Sequence, residues 1–192
     1  MEALEEALTE IIDGAKMPRH CDLTEMLEED LTEIIDGQIT TGPSPFGKHQ
    51  DIVFNLADIL RRHVKGHKLG KVFLSPLDVI FEEGLNSLQP DILFIANDNM
   101  HIYQDWIRGV PDMVCEVVSQ YSYERDTKVK RVVYEKFKVP EFWIVFPELR
   151  EIQILTYDDG TYKLHCVAVS EGTVNSKVID GLLVDIKDVF AD

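Results

Sequence analysis

The sequence has few of the features that mark a secreted, membrane-spanning or disulfide-bonded protein. Its 192 residues include no run of about 18 apolar residues, which a membrane-spanning helix requires. The first residues are acidic, whereas a secretory signal begins with basic residues and continues with apolar ones. The three cysteines are far apart and form no CxxC pair, so neither a disulfide framework nor a zinc site is indicated. We therefore expect a soluble cytoplasmic protein that contacts no membrane.

Several common catalytic motifs are also missing. The sequence contains no recognisable Ser/His/Asp triad, no HExxH zinc motif and no glycine-rich phosphate loop. The glycine-flanked turn at residues 42–47 carries prolines where a phosphate cradle needs free backbone N–H groups. These absences direct attention to carboxylates as the candidate chemical groups.

Basic residues are scarce, and the formal net charge is −16. This charge argues against a broad phosphate-binding surface, because non-specific affinity for nucleic acid comes mainly from Lys and Arg. Residues 1–36 contribute most of the imbalance, with twelve acidic residues against Lys16 and Arg19. Residues 48–71 and 124–138 contain more basic than acidic side chains. They are candidate phosphate contacts, although solvated helix faces of mixed charge have the same composition.

The length fits one domain with a sizeable core, since 45% of the residues are hydrophobic. Residues 8–14 recur letter for letter as residues 31–37, but one duplication does not make a repeat protein. We divide the chain into an acidic N-terminal extension, residues 1–30, and a single domain, residues 31–192.

Hydrophobic periodicity predicts an α/β (α+β) domain. Apolar residues recur at helical spacing over residues 46–64 and 122–138. Strand-like apolar runs separate and follow these helices, at residues 71–82, 90–96, 113–119 and 141–146. A C-terminal β-hairpin is predicted to turn at Asp158-Asp159-Gly160. This order predicts a mixed central β-sheet flanked by helices.

An acidic residue within an apolar strand is the most informative feature of the sequence. Glu116 lies in the run Met113–Val118, where a lone charge is costly unless it is paired, protonated or bound to a metal. Strand alternation puts Glu116 on the same face as Val114 and Val118. Asp91 begins the preceding predicted strand. Two carboxylates on neighbouring strands make a plausible site for a divalent cation.

A lysine on the following predicted helix completes the candidate site. The core stripe of that helix is predicted to consist of Val129, Val132, Val133 and Phe137. At about 100° per residue, Lys130 borders this stripe and Asp126 lies one turn before it. A lysine directed at two carboxylates could position a water, stabilise charge on a phosphate, or form a buried salt bridge. The residue pattern leaves these alternatives open.

The segments around these residues resemble a known family. Pro90-Asp91, followed after twenty-four residues by Glu116-Val117-Val118, is similar to the PD-(D/E)XK nuclease motif. More narrowly, the chain resembles the Uma-two family of restriction-endonuclease-like proteins over about residues 31–155. The matching segments are Ile35-Asp36-Gly37, Pro43-Ser44-Pro45 with His49, Gln89-Pro90-Asp91, Pro111-Asp112 through Glu116-Val117-Val118-Ser119, Asp126-x-x-x-Lys130-x-x-x-Tyr134, and Val139 through Val145.

The sequence departs from the superfamily pattern at Val118, which stands where a lysine is usual. The resemblance implies that Lys130 on the next helix takes the place of that lysine. Phe146 and Gln120 stand where many relatives carry an acid and a proline. Neither is part of the expected metal site.

The resemblance implies a restriction-endonuclease-like fold and hydrolysis of phosphodiester bonds in nucleic acid, with DNA as the expected substrate. Asp91, Glu116 and the backbone carbonyl of Val117 would hold Mg²⁺ or Mn²⁺, which prefer oxygen ligands. The metal would polarise the phosphate and activate a water, and Lys130 would orient that water or stabilise the transition state.

Three further residues are secondary candidates for this site: His49, Asp78 and Asp126. His49 lies on the apolar face of its predicted helix, which favours a hydrogen-bonded core histidine over a role in the site. Asp78 fits either a further ligand or a polar residue of an edge strand. The sequence leaves both alternatives open.

Two other functions fit the same sequence. One is a non-catalytic interaction or DNA-associated module that retains the nuclease fold, which the acidic balance and Val118 favour. The other is a hydrolase of a small phosphorylated substrate, which would need no basic groove. If the chain cuts both strands of DNA, a homodimer with a two-fold axis is expected.

Overall fold

The structure is a computed structural model that describes residues 32–41 and 46–191. The predicted extension, residues 1–30, lies outside the described residues, as do the first copy of the duplicated segment and Pro43-Ser44-Pro45. The strands are β1 (Thr32–Ile35), β2 (Gln38–Thr41), β3 (Gly70–Leu74), β4 (Val79–Glu82), β5 (Asn86–Leu88), β6 (Ile92–Ala96), β7 (Ile107–Arg108), β8 (Met113–Val117), β9 (Glu141–Phe146), β10 (Glu151–Asp158), β11 (Thr161–Val169), β12 (Thr173–Asn175) and β13 (Leu183–Asp185). The helices are α1 (Gly47–His67), α2 (Lys130–Lys136) and α3 (Ile186–Val189).

A six-stranded mixed sheet carries the domain, in the order β11-β10-β9-β8-β6-β3. β8 and β9 are parallel, whereas the other neighbouring pairs are antiparallel. The predicted mixed central sheet and the C-terminal hairpin, β10 and β11, are confirmed. A five-stranded sheet, β2-β1-β5-β4-β7, and the pair β12-β13 are additional.

α1 packs on one face of the six-stranded sheet. Its buried side chains follow helical spacing and are Ile52, Val53, Leu56, Ala57, Leu60 and Val64. They share one core cluster with Ile92, Cys115 and Val117 of the sheet. Complete burial of a leucine such as Leu56 contributes about 1.5–3 kcal/mol. This apolar stripe holds α1 in place, and therefore also the side chains of its first turn.

α2 packs on the opposite face, through Val133 and Tyr134. A π-helical turn, Arg125–Val129, precedes it. The predicted core stripe is wrong in part, because Val129 is 43% and Val132 66% exposed. Charged side chains occupy the inward positions instead, where they interact with one another as described below.

The predicted strand 71–82 is two strands in different sheets, β3 and β4. The chain leaves the six-stranded sheet after Leu74 and enters the five-stranded sheet at Val79. The strands that the sequence did not predict have two to four residues each, too few to produce a periodic signal. In the described part of the chain, no helix is long and apolar enough to cross a membrane.

Candidate active site

Glu116 points from β8 toward α2 and is 2% exposed. Both of its carboxylate oxygens accept hydrogen bonds from Lys130 Nζ, at 3.1 Å each. The hydroxyl of Tyr134 donates a third hydrogen bond to Glu116 Oε1, at 2.5 Å. Val114 and Val118 belong to the core cluster on this same face of the sheet, as strand alternation predicts.

Lys130 is the centre of a buried group of charges that we call the Lys130 cluster, made of Glu33, Glu116, Asp126 and Lys130. Lys130 Nζ lies 2.7 Å from Glu33 Oε1 and 3.8 Å from Asp126 Oδ1. Helical spacing predicts that Lys130 faces inward, and it is 2% exposed. A single ammonium group therefore serves three buried carboxylates.

The charges of the cluster influence one another strongly. Burial lowers the pKa of Lys130, but the carboxylates of Glu116, Glu33 and Asp126 outweigh burial and raise it, so the ammonium stays protonated. Burial raises the pKa of Glu116 well above its usual value, and Lys130 opposes that shift only in part. Burial likewise raises the pKa of Asp126. Three ionised carboxylates would exceed the charge that one lysine compensates, and the raised pKa values of Glu116 and Asp126 reflect the cost of burying that charge.

Arg125 lies at the border of the cluster. Its Nε is 3.5 Å from Asp126 Oδ1 and 3.9 Å from Glu33 Oε2. Neither Arg125 Nε nor Asp126 Oδ1 has a hydrogen-bond partner, although both are buried. Buried polar atoms without hydrogen bonds are uncommon and often occur where an ion, a water or a substrate binds.

Asp91 lies next to this group, at the start of β6. In the antiparallel register of β6 and β8, Ile92 is opposite Cys115, and one further step puts Asp91 opposite Glu116. Asp91 Oδ2 accepts a hydrogen bond from the backbone N–H of Val117 at 2.7 Å. The negative charge of Asp91 also contributes to the raised pKa of Glu116. The structure thus brings Asp91, Glu116, Val117 and Lys130 together at one end of the sheet.

His49, in the first turn of α1, contacts Asp91. Its Nε2 lies 3.3 Å from Asp91 Oδ2, while its Nδ1 is buried without a hydrogen-bond partner. Burial lowers the pKa of His49, but the hydrogen bond and the charge of Asp91 outweigh burial and raise it. His49 therefore forms an ion pair with Asp91 when it is protonated.

Asp78 is connected to the site only indirectly. Its Oδ1 accepts a hydrogen bond from Gln89 Nε2 at 3.0 Å, and the backbone N–H of Gln89 donates to Glu33 Oε1 at 2.8 Å. No hydrogen bond or ion pair joins the side chain of Asp78 to Asp91, Glu116 or Lys130 within residues 32–41 and 46–191.

Glu33 belongs to the Lys130 cluster but is not among the predicted site residues. It lies in β1, a strand of four residues that pairs with β5 through Ile34 and Ser87. The sequence feature that identified Glu116, an acidic residue beside apolar ones, is also present at Glu33, which precedes Ile34 and Ile35. The contact of Tyr134 with Glu116 was also missed, although Asp126, Lys130 and Tyr134 recur at four-residue intervals on one helix face.

Among the described residues, no group of three or more His, Cys, Asp or Glu side chains is arranged to hold a metal ion. The site instead contains two carboxylates, Asp91 and Glu116, next to the backbone of Val117 and the side chain of Lys130. Such a set leaves most coordination positions of a cation to water and substrate.

Comparisons with known proteins bear on the family and the fold of the chain. The family model described as "Uma2: Putative restriction endonuclease" matches residues 20–186. A crystal structure titled as "a putative nuclease belonging to DUF820" from Anabaena variabilis is similar in fold, with a TM-score of 0.70 and 20% identity. That similarity covers 90% of this chain and 98% of the other. A search of curated proteins found no match. Since the family model spans most of the sequence, this chain belongs to the Uma2 family, as its motifs predict.

Proposed function

We propose that the chain is a metal-dependent endonuclease that hydrolyses phosphodiester bonds in DNA. The observation that carries the proposal is Lys130 Nζ, 3.1 Å from the carboxylate of Glu116, with Asp91 on the neighbouring strand. Membership of the Uma2 family supports a nuclease-like activity. The metal requirement, the DNA substrate and the roles of individual residues are the parts that we add.

The donor atoms available near Glu116 fit Mg²⁺ or Mn²⁺. Mg²⁺ is commonly bound through one or two carboxylates, with water and substrate phosphate in the remaining positions. Asp91, Glu116 and the backbone carbonyl of Val117 would supply such a set of oxygen ligands. The buried carboxylates also outnumber Lys130, and a cation would offset this excess negative charge. A bound cation would supply polarisation of the phosphate and activation of a water.

The residues of the chain would contribute positioning and charge. Lys130 stays protonated, so it can stabilise negative charge that develops on the phosphate. Glu33 and Asp126 hold the ammonium group from two sides, at 2.7 Å and 3.8 Å, which limits its movement. His49 holds the carboxylate of Asp91 through Nε2. A site whose side chains are fixed before the substrate binds loses less energy to reorganisation.

Two exposed aromatic rings are consistent with a nucleic-acid substrate. Phe46 precedes the turn of α1 that carries His49, and Tyr121 follows β8 by four residues. Their ring centroids are 6.1 Å apart, and the two residues are 64% and 73% exposed. Exposed aromatic side chains can stack on bases that leave the duplex.

A second candidate function is a non-catalytic interaction module with the same fold. It is favoured by the complete pairing of Glu116, whose oxygens already accept hydrogen bonds from Lys130 and Tyr134. That pattern is also found in buried structural salt bridges. The two functions differ in whether Mn²⁺ binds and whether DNA is cut.

Mn²⁺-dependent cleavage of supercoiled plasmid and of single-stranded DNA tests the proposal. We expect the wild type to cut and the Glu116→Gln and Lys130→Met variants to lose about 100-fold or more in rate. Glu141→Gln is the matched control, because Glu141 is a buried acid on the opposite face of the sheet. A wild type that neither cuts DNA nor binds Mn²⁺ would support the interaction module instead.

A further inference from the structure

A basic cleft lies between the end of α1 and the start of the edge strand β3. Its volume is about 500 Å³, and four of its lining residues are basic: Arg61, Lys65, Lys68 and Lys71. The cleft contains no acidic lining residue. In a chain with a net charge of −16, this concentration of positive charge is unusual.

The four cations of the cleft have no carboxylate partner among the described residues. Arg62, by contrast, is adjacent to Arg61 in sequence and forms an ion pair with Asp58 at 3.0 Å. Lys71 Nζ lies 4.9 Å from the centre of the Tyr103 ring, which also packs on Phe73, so this ammonium is on the face of β3 away from α1. The other three basic residues, Arg61, Lys65 and Lys68, share one face of α1 and repel one another, so an anion bound there would stabilise them.

The backbone that carries these cations is held firmly. Lys68 ends α1 in the left-handed conformation, with φ at 56°, and its carbonyl accepts a hydrogen bond from Asn97 Nδ2 at 2.5 Å. Gly70 follows at a close approach of two strands, where an added Cβ would lie 2.0 Å from the carbonyl oxygen of Ile95. The backbone of the cleft is therefore fixed at Lys68 and at Gly70.

The two elements that form the cleft also lead to the candidate active site. Along α1, sixteen residues separate Lys65 from His49, a distance of about 24 Å. Along the β3 direction, four residues separate Lys71 from Ser75, about 14 Å, and the N–H of Ser75 donates to the carbonyl of Asp91 at 3.1 Å. At about 3.4 Å per base pair, these distances correspond to roughly four to seven base pairs of duplex.

We propose that this cleft binds phosphate groups of the nucleic-acid backbone, roughly four to seven base pairs from the bond that is cut. This inference rests on the proposed function, because it assumes the same substrate. The cleft would hold the duplex by charge alone and without regard to sequence, since contacts to phosphates position a duplex but do not read its bases. It would let a strongly acidic chain bind DNA through a small region.

Binding of a labelled 20-base-pair duplex to the full chain, in EDTA and at several salt concentrations, tests the inference. The test variant is Lys65→Glu with Lys68→Glu. The matched control is Lys163→Glu with Lys177→Glu, two exposed lysines outside both basic segments, which changes the net charge equally. Thermal melting of each protein checks that all are folded.

We expect the cleft variant to bind at least about ten-fold more weakly at 0.1 M salt, and its salt dependence to fall by about two units of slope. The control should change affinity less than about three-fold. Equal losses in the two variants, unchanged binding in the cleft variant, or a wild type that binds no duplex would each overturn the inference. A displacement assay with pyrophosphate adds one more outcome. If the wild type binds pyrophosphate but not the duplex, the cleft holds a small phosphate ligand and the inference is wrong.

A failure of the cleft inference can be distinguished from a failure of the proposed function, because binding is measured without a divalent cation. If Mn²⁺-dependent cleavage is present while the cleft variant binds like the wild type, only the cleft inference fails. If the cleft variant loses binding but the wild type never cuts, only the proposed nuclease function fails.

Discussion

Two buried glutamates on neighbouring strands have hydrogen-bond partners of different charge. Glu116 of β8 and Glu141 of β9 are 2% and 0% exposed. Glu141 accepts hydrogen bonds from Trp143 Nε1, Ser176 Oγ and the backbone N–H of Lys177, at 2.6 to 2.7 Å. Glu116 instead contacts a charged lysine that two other carboxylates share.

The comparison separates a structural carboxylate from a candidate catalytic one. The donors to Glu141 are uncharged, and they connect β9 to the chain segment that follows β12. The Lys130 cluster has excess negative charge, two buried atoms without hydrogen bonds nearby, and Asp91 across the strand pair. Burial alone therefore does not identify a functional acid, whereas the charge and number of its partners do.

Lys130→Met should give the largest loss of stability. It removes the only ammonium group within the cluster and leaves Glu33, Glu116 and Asp126 with buried, poorly compensated charge. We expect a decrease of about 3–5 kcal/mol in the free energy of unfolding, measured with urea.

The triple variant Lys130→Met, Glu33→Gln and Glu116→Gln is the control for that loss. It removes positive and negative charges together, so it should regain part of the lost stability while remaining inactive. If Lys130→Met alone costs less than about 1 kcal/mol, the cluster is not the tightly coupled group of charges described above.

Glu141→Leu should destabilise the fold by about 3 kcal/mol, because three buried donors lose their acceptor. The cleavage rate per folded molecule should not change, since Glu141 faces away from the Lys130 cluster. Urea unfolding and plasmid cleavage measure the two effects separately. A large loss of cleavage in fully folded Glu141→Leu would remove the distinction between the two glutamates.

Tyr134→Phe should have a smaller effect, because Glu116 Oε1 keeps its hydrogen bond from Lys130. Loss of one hydrogen bond to a charged group corresponds to about 1.5 kcal/mol of stability. Cleavage should fall less than in Glu116→Gln. An effect on cleavage equal to that of Glu116→Gln would mean that the hydroxyl of Tyr134 takes a direct part in the reaction.

His49→Gln should show the smallest effect, and that effect should depend on pH. Burial lowers the pKa of His49, but Asp91 outweighs burial and raises it, so the folded pKa lies above the unfolded value of about 6.5. The stabilisation by the protonated ring is therefore fully present below about pH 6.5 and is lost as the pH rises through the folded pKa. Urea unfolding across this range should show a difference between wild type and variant that shrinks with rising pH. A difference that grows with pH contradicts this ion pair.

Much of the fold follows from periodicity in the sequence. The apolar spacing of α1 and the apolar runs of β6, β8 and β9 predict the main sheet and the helix on one of its faces. The inward direction of Lys130 follows from its position next to Phe137 and about 60° from Val133 around the helix axis. These are local properties, which a short window of sequence contains.

The remaining features depend on contacts that are distant in sequence. Glu33 reaches Lys130 because β1 pairs with β5, a strand about fifty residues later. Both strands are too short for their pairing to be predicted from the sequence. Val132 has the apolar character of a core residue but is exposed, because Lys130 and Asp126 occupy the inward face. Glu116 and Glu141 look alike in sequence, and only their partners distinguish them.

Titration of the metal-free chain with Mn²⁺ by isothermal calorimetry tests the central claim most directly. The account predicts one Mn²⁺ per chain for the wild type and for Glu141→Gln, and loss of that binding in Asp91→Asn and in Glu116→Gln. Binding that persists in both site variants, or a wild type that binds no Mn²⁺, would contradict the claim that Glu116 belongs to a metal-dependent catalytic centre.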